Sequence, residues 1–305
     1  MAAIGTQGRR TETGDALARA RQRAALLPDL LVEVHRILNT VNTGWHGRRK
    51  SGVGESFWQF RPYTDGEAVS RIDWRRSARD DRTYIRDQEW EAAHTVWLWA
   101  DPSPSMLFKS EQAQVSKESR ALVMVLALAE LLSRSGERIA YPDISDPSSA
   151  RNGAERLATL LSHAANLPAK PDLDRVRRFS DVVLVSDFLE PVEETLETLQ
   201  KLAHVGARAH LIEIYDPAEE DFPYRRRTEF VDPETGASLT FGRAEDYASD
   251  YRNLFYARRE TLSAYCKRIG WSYTVNRTDR LASEALVAVH MNMTAKIGYQ
   301  GGGVA

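Results

Sequence analysis

Hydrophobic positions change their spacing near residue 95, where short apolar runs begin to alternate with longer stretches of helical periodicity. The apolar runs predict strands at residues 95–100, 138–141, 181–185, 207–215 and 271–275. The helical stretches predict helices at residues 111–135, 153–165, 192–202, 245–268 and 281–291. Residues 216–243 interrupt the alternation, with a hairpin predicted around residues 232–236. This order of elements predicts an α/β fold with a mostly parallel sheet covered by helices on both faces.

The part of the chain before residue 93 has a different pattern. Residues 15–43 carry aliphatic side chains at helical spacing, which predicts one helix. Residues 45–92 are rich in arginine, glycine and aromatic residues, and they predict a small β module with strands at residues 56–63 and 83–90. We therefore expect four segments: a disordered tail (1–14), the helix with the β module (15–92), the main α/β domain with its insertion (93–292) and a flexible tail (293–305).

Composition and charge narrow the class of protein. The formal net charge of -2 gives no overall attraction to nucleic acid, so we expect no nucleic-acid partner. Cys266 is the single cysteine, which excludes an intramolecular disulfide and favours a reducing compartment. The sequence begins with no signal-peptide pattern, and its longest apolar run, residues 121–129, is far shorter than the about 20 residues that a membrane span needs. The sequence therefore predicts a cytoplasmic protein without membrane insertion.

Polar side chains follow three of the predicted strands at the point where each strand ends. They are, in chain order, Asp101, Ser103, Ser105, Ser186, Asp187 and Asp216. Because parallel strands end at the same edge of a sheet, we expect these side chains to lie along one edge. A carboxylate accompanied by hydroxyl oxygens suits a hard cation such as Mg²⁺ or Mn²⁺. The alternative is that these residues cap the helices that follow, as aspartate and serine commonly do.

Other chemistries find little support in the sequence. Residues 52–57 begin like a dinucleotide fingerprint, but Phe57 replaces the third glycine and no strand precedes the run, so a turn is favoured. The chain has no P-loop, no zinc-spaced histidine or cysteine pair and no nucleophile elbow. Residues 71–79 are dense in arginine, but interleaved carboxylates favour ion pairs within a compact module over phosphate binding.

Two segments of the chain form a recognisable combination. The first contains Gly52, Gly54, Phe57, Arg61, Tyr63, Arg71, Asp73, Trp74, Ser77 and Arg79, and the second is the Asp101-x-Ser103-x-Ser105 run. Together they resemble a known family, the bacterial proteins with domain of unknown function 58. The resemblance extends over residues 45–290 and implies a structural role for the first set. One departure is Gly66-Glu67, where the family usually has Gly-Asp.

The resemblance implies a von Willebrand factor type A-like domain, a Rossmann-like fold with a metal site at the strand ends. In that type of site an aspartate and two serines act together with a threonine and a later aspartate. The matching ligands here are Asp101, Ser103, Ser105 and Asp187. No threonine matches, and Ser148 or Ser149 are the candidates to stand in for it. Ser186 and Asp216 are secondary candidates at the same edge.

Three functions remain open at this point. The leading hypothesis, implied by the resemblance, is a non-enzymatic adaptor that binds a MoxR-type AAA+ ATPase or its client protein in a metal-dependent way. The second is a Mg²⁺-dependent hydrolase, a phosphatase or nuclease, in which Asp101, Asp187 and Asp216 activate water. The third is a nucleic-acid binder that uses residues 71–79, which the near-neutral net charge disfavours.

Overall fold

A six-stranded sheet with helices packed on it dominates the computed structural model of the chain. The structure describes residues 12–43, 57–64, 69, 72–79, 82–88, 94–164 and 167–295. These residues fall into two compact units. The sheet unit comprises residues 12–43 and 95–295, and the small unit comprises the described residues between 57 and 94.

The order of elements confirms the predicted alternation of strands and helices. In chain order the elements are α1 (Glu12–Thr43), β1 (Phe57–Pro62), α2 (Trp74–Ser77), β2 (Tyr84–Gln88), β3 (Thr95–Ala100), α3 (Lys117–Arg134), β4 (Arg138–Tyr141), β5 (Ser145–Ser148), α4 (Gly153–His163), β6 (Asp181–Ser186), α5 (Val192–Val205), β7 (Arg208–Tyr215), α6 (Pro217–Asp221), β8 (Thr228–Val231), β9 (Ser238–Phe241), α7 (Ala248–Arg268), β10 (Ser272–Arg277) and α8 (Ala282–Ala295). Short 3₁₀ turns lie at Pro104–Leu107 and Ala244–Tyr247.

The strands of the main sheet lie in the order β10-β7-β6-β3-β4-β5. All neighbouring pairs are parallel except β4 and β5, which are antiparallel at one edge. After β3 the chain first builds β4 on one side and then returns to build β6 on the other side. The strand order therefore reverses between β3 and β6, which creates a crevice beyond their carboxyl ends.

The two strands that flank this reversal are each built around a continuous apolar run. Residues 96–100 of β3 and 182–185 of β6 are buried, as expected for a parallel sheet covered on both faces. Helix α3 is apolar around most of its circumference and is buried except at Ser119 and Arg134, because it packs against the sheet and against α1, α4 and α8. Helices α5 and α7 pack against each other and against β7 and β10. The fold is thus a mostly parallel, Rossmann-like α/β architecture.

Helix α1 belongs to the sheet unit. The sequence pattern had instead grouped this helix with the β module in a single segment, residues 15–92. It packs on α3, α4 and α8, and its Arg23 Nε donates to Glu118 Oε1 of α3 at 2.9 Å, both side chains being buried. The apolar stripe of α1 supplies this packing surface, because Leu30, Val34 and Leu38 are buried.

Several element boundaries differ from those predicted. Helix α3 begins at Lys117 rather than at residue 111, because Ser116 caps it by accepting a hydrogen bond from the Ser119 amide. Strand β5 was not predicted. It contains Pro147, which has no amide hydrogen to donate and is tolerated here because β5 is an edge strand. The tails predicted at 1–14 and 293–305 overlap helices, since α1 begins at Glu12 and α8 continues to Ala295. The rest of both tails lies outside the described residues.

The predicted hairpin is present as the antiparallel pair β8 and β9. An aromatic cluster anchors its base, in which Phe230 stacks on Phe222 at 5.7 Å between ring centroids and meets Phe241 edge-on at 5.8 Å. Every residue of the tip, 232–237, is exposed. The hairpin is therefore an arm held at its base, and its tip extends to the crevice described below.

Candidate strand-end site

A cleft of about 440 Å³ lies at the carboxyl ends of β3 and β6, where the strand order reverses. The predicted ligands Asp101, Ser103, Ser105 and Asp187 all line this cleft. Topology alone brings the first and last together, because β3 and β6 are neighbours although 86 positions separate the two aspartates in the sequence. The structure therefore gathers the predicted set at one edge of the sheet.

Asp101 is held firmly at the floor of the cleft. Its amide donates to the carbonyl of Val185 at 2.9 Å, which continues the ladder between β3 and β6 by one residue. Its Oδ1 accepts from the Ser103 amide at 2.8 Å, and its Oδ2 accepts from the Ser186 hydroxyl at 2.6 Å. The side chain thus caps no helix, and Ser186 serves as its hydrogen-bond donor.

Burial makes the charge of Asp101 costly. The residue is 6% exposed, and burial, together with the nearby Asp187 carboxylate, raises the pKa of Asp101 to about 6, although hydrogen bonds from Ser186 and Ser103 oppose the rise. A cation beside this carboxylate would offset that cost, since opposite charge favours the ionised form.

The two serines present their hydroxyls to each other across the turn after β3. The Oγ atoms of Ser103 and Ser105 are 3.1 Å apart, and both residues are only partly buried. The intervening Pro104 begins a short 3₁₀ turn, for which Ser103 makes no side-chain cap. Neither the side chain of Ser103 nor that of Asp101 therefore caps a helix, although the bond from the Ser103 amide to Asp101 Oδ1 stabilises a turn, as the alternative interpretation expects.

Asp187 lies in a buried ion pair that the sequence did not reveal. Lys117, the first residue of α3, is 0% exposed, and its Nζ donates to Asp187 Oδ2 at 2.7 Å and to Glu219 Oε1 at 2.5 Å. Burial lowers the pKa of Lys117, but the two carboxylates outweigh burial and hold its pKa above the ordinary value. The other oxygen of Asp187 accepts from the Leu189 amide. Asp187 therefore forms an ion pair with Lys117 and does not cap a helix.

The remaining strand-end candidates do not join the ligand set. Asp216 follows β7 at the same edge, but its two oxygens accept from the amides of Ala218 and Ser110 at 2.9 Å each, because it caps α6. Ser148 lies in the edge strand β5 opposite Ile139, and neither it nor Ser149 lines the cleft. The proposed stand-ins for the threonine are therefore misplaced, since β5 runs antiparallel and carries them away from the strand ends.

A carboxylate that sequence analysis missed reaches the cleft from the hairpin. Oε1 of Glu234, at the hairpin tip, accepts a hydrogen bond from the Ser105 amide at 2.9 Å, across 129 positions of sequence. Asp232 and Pro233 of the same tip also line the cleft. The sequence signal was limited to the predicted turn at residues 232–236, which gave no indication of what the tip would contact.

Comparison with known proteins places the chain in a family. A family model described as "Protein of unknown function DUF58" matches residues 59–261, which is well over half of the sequence. The chain belongs to the DUF58 family. Uncharacterized proteins from Mycobacterium bovis and Mycobacterium tuberculosis are 27% identical to it over 276 residues, covering 84% of this chain and 85% of each relative. The resemblance inferred from the two sequence segments is confirmed.

Solved structures offer weaker likenesses to the DUF58 chain. The BatB protein from Bacteroides thetaiotaomicron is 11% identical, with a TM-score of 0.39 over 68% of this chain and 99% of its own. An aerotolerance-related membrane protein from Bacteroides fragilis is 12% identical, with a TM-score of 0.38 over 67% of this chain and 100% of its own. Within the described part of this DUF58 chain, no helix combines the length and apolar character needed to cross a membrane.

The signature residues of the DUF58 match build part of the small unit. Asp73 caps the short helix α2 by accepting from the Arg76 amide at 2.9 Å, and its own amide donates to the carbonyl of Tyr84 at 2.9 Å. The Ser77 hydroxyl accepts from the Tyr84 amide at 2.8 Å and donates to the carbonyl of Asp73. These bonds tie α2 to β2, which pairs with β1 in an antiparallel ribbon.

Other signature residues have less defined roles. Trp74 is 63% exposed and Arg79 is exposed, so neither packs in an interior. Tyr63 follows β1 and is partly buried, while Phe57 and Arg61 lie within β1 itself. Gly52, Gly54 and Arg71, as well as the departure at Gly66-Glu67, lie outside the described residues.

The donors at the strand-end site are compatible with a hard divalent cation. Asp101, Ser103 and Ser105 offer only oxygen atoms, and the buried carboxylate of Asp101 accepts from two neutral donors, the Ser103 amide and the Ser186 hydroxyl. No group of three or more His, Cys, Asp or Glu side chains within the described ranges is close enough together to hold a metal by itself. A cation here would therefore depend on the serine hydroxyls, on water and on a carboxylate brought from elsewhere.

Proposed function

We propose that this DUF58 chain is a non-enzymatic adaptor that binds a partner protein through a divalent cation, Mg²⁺ or Mn²⁺, held at the strand-end site. Asp101, Ser103 and Ser105 would hold the ion, and Asp187 would support it from the β6 side. A cation with one carboxylate and two neutral hydroxyls keeps net positive charge and open coordination positions, which an acidic side chain of a partner can fill. The partner we propose is a MoxR-type AAA+ ATPase or its client protein.

One observation carries this proposal. Asp101 is a buried carboxylate at the floor of an open cleft, and the paired hydroxyls of Ser103 and Ser105 stand beside it where the strand order reverses. In open α/β sheets this is the position at which ligands bind. The oxygen-only donor set favours a hard cation over zinc, which prefers nitrogen and sulfur ligands.

The hydrolase hypothesis loses support from the same geometry. Water activation needs a free carboxylate as a general base or as a ligand for a second metal. Both oxygens of Asp216 accept hydrogen bonds from backbone amides, and Asp187 is paired with the buried ammonium of Lys117. A protein-binding role needs neither group to be free, so it fits the arrangement better.

Affinity capture with matched variants tests the proposal. Wild type, Asp101→Ala and a control, Asp146→Ala, serve as bait for native lysate, each with Mg²⁺ or with chelator. Asp146 is an exposed aspartate of β5, away from the cleft, so its loss leaves the site intact. We expect wild type and Asp146→Ala to retain a MoxR-type AAA+ ATPase or its client when Mg²⁺ is present, and to lose it in chelator. Capture of that partner by Asp101→Ala, or in chelator, would contradict the proposal.

A further inference from the structure

The tip of the β8–β9 hairpin delivers a carboxylate to the strand-end site. Glu234 Oε1 accepts from the Ser105 amide, and Ser105 is one of the two residues whose hydroxyls form the proposed ligand pair. This contact is the long-range hydrogen bond that joins the hairpin tip to the turn after β3. It places an acidic side chain at the position from which a partner would approach.

The tip is built to hold Glu234 in this orientation. Asp232 Oδ1 accepts from the Glu234 amide at 2.9 Å, and Asp232 Oδ2 accepts from the Thr235 hydroxyl at 2.5 Å. The Gly236 amide donates to the carbonyl of Asp232 at 2.8 Å, and Gly236 has a φ of +72°, which glycine adopts without strain. These bonds stabilise the turn that places the backbone of Glu234 beside the cleft.

The electrostatics of the cleft make this placement unfavourable without a cation. Six of the seven charged side chains that line the cleft are carboxylates. The seventh, Lys170, is paired with Glu194 at 2.5 Å. The other five carboxylates raise the free energy of the Glu234 carboxylate through like-charge repulsion, although Asp187 and Glu194 are each paired with a lysine. The donor that Glu234 meets in the turn after β3 is a neutral amide. A divalent cation between Glu234 and the serine pair would reverse the sign of this interaction.

We infer that Glu234 is an internal ligand of the strand-end site, occupying the seat that a partner's acidic side chain takes, so that the hairpin and the partner exclude each other. The inference rests on the proposed function, which supplies the cation. The hairpin suits this role because its strands are half-exposed or fully exposed, and its aromatic contacts with the rest of the chain are made by Phe230 and Phe241 of the strands rather than by the tip itself. Displacing the tip breaks one exposed hydrogen bond to the site and leaves the sheet intact.

Manganese binding tests the ligand role. The full chain is titrated with Mn²⁺ alone, and free Mn²⁺ is followed by electron paramagnetic resonance, for wild type, Glu234→Ala and Glu229→Ala. Glu229 is the matched control, an exposed glutamate in β8 of the same hairpin. We expect Glu234→Ala to weaken Mn²⁺ binding by about tenfold or more, the loss typical of a supporting ligand, and Glu229→Ala to leave it unchanged.

Acetate serves as the simplest stand-in for a partner's carboxylate. Excess acetate should restore Mn²⁺ affinity in Glu234→Ala, because the seat is vacant, and should leave wild type unchanged, because Glu234 fills it. Equal Mn²⁺ affinity in wild type and Glu234→Ala, with no effect of acetate on either, would overturn the inference.

Hydrogen exchange separates failure of this inference from failure of the proposed function. Mn²⁺ should slow amide exchange at Ser105 and in residues 228–241 of wild type, and should have no such effect in Asp101→Ala or Glu234→Ala. If wild type binds no Mn²⁺, the proposed function fails. Amide exchange without metal, compared between Glu234→Ala and Glu229→Ala, then tests whether Glu234 contacts Ser105. Faster exchange at Ser105 in Glu234→Ala than in Glu229→Ala would support the seat of Glu234, and equal exchange would overturn it.

Discussion

The ammonium of Lys117 acts as a fixed cation behind the strand-end site. It is fully buried and contacts two carboxylates, Asp187 just after β6 and Glu219 in α6, so it joins three separate segments of chain. Burying a lysine is costly unless its charge is compensated, and here the two carboxylates in contact with Nζ compensate it. The pair also lowers the charge that Asp187 can offer to a second cation, which leaves Asp101 as the principal anionic ligand.

Lys117→Met should destabilise the protein strongly. The substitution keeps the length of the side chain but leaves Asp187 and Glu219 buried without a cation, which costs about 3–5 kcal/mol in the free energy of unfolding. Urea unfolding followed by circular dichroism measures the change. Lys109→Met is the control, because Lys109 is exposed, and it should change stability by less than about 0.5 kcal/mol. A small effect at Lys117 would contradict the structural role of the buried pair.

Tyr141 fixes the last residue of β3 and hence the position of Asp101. Pairing between β3 and β4 stops at Trp97 and Ala140, so the backbone of Ala100 is not paired with the backbone of β4. The Tyr141 hydroxyl replaces that partner, since it donates to the carbonyl of Ala100 at 2.9 Å and accepts from its amide at 3.1 Å.

Tyr141→Phe should therefore destabilise the chain by about 1–3 kcal/mol, because a buried amide and a buried carbonyl lose a shared partner. Thermal unfolding of the purified variant measures this loss. Tyr247→Phe, at a residue that is 49% exposed, is the control and should unfold like wild type. Equal stability of Tyr141→Phe and wild type would show that the hydroxyl does not hold the end of β3.

At the scale of elements, helices α3 and α4 approach each other closely at Gly153. A Cβ at this position would lie 2.6 Å from the Oγ of Ser133 and would collide with the carbonyl oxygen of Ala129. The same contact region caps α4, because the Gly153 amide donates to Ser133 Oγ and the Ala154 amide donates to Glu130 Oε2. The glycine is needed for backbone approach rather than for an unusual φ angle.

Gly153→Ala should force α4 away from α3 and cost about 1–3 kcal/mol, as overpacking of a well-packed interior does. The matched control is Gly242→Ala, since nothing lies within 4 Å of a Cβ built there. Chemical unfolding of both variants measures the difference. If the two variants are equally stable, the close approach of the helices is not the constraint described here.

The sequence predicted the elements where pattern and burial coincide. Strands β3 and β6 are built around continuous apolar runs and β7 is apolar at most positions, and each is found within two residues of its predicted bounds. The start of α3 was misplaced because residues 111–116 carry helix-forming side chains, whereas the Ser116 cap fixes the actual start. Strand β5 was missed because its sequence, Ser-Asp-Pro-Ser, has no strand periodicity, and its antiparallel pairing with β4 is helped by the Ser145 hydroxyl, which accepts from the Tyr141 amide.

At the scale of the whole molecule, the site depends on the topology of the sheet. Asp101, Ser103 and Ser105 are close in sequence and could be recognised there, and Asp187 could be added because parallel strands share an edge. Lys117 and Glu234 could not, because their partners lie 70 and 129 positions away and no local pattern encodes such contacts. The grouping of α1 with the sheet likewise depends on packing against α3, which the sequence leaves unspecified.

Isothermal titration of the full chain with Mg²⁺ tests whether Asp101 and the serine pair bind a divalent cation. The chains compared are wild type, Asp101→Ala and Asp146→Ala, and thermal unfolding confirms that all three are folded. We expect one Mg²⁺ per chain for wild type and Asp146→Ala and none for folded Asp101→Ala. No binding by wild type, or equal binding by all three chains, would contradict this expectation.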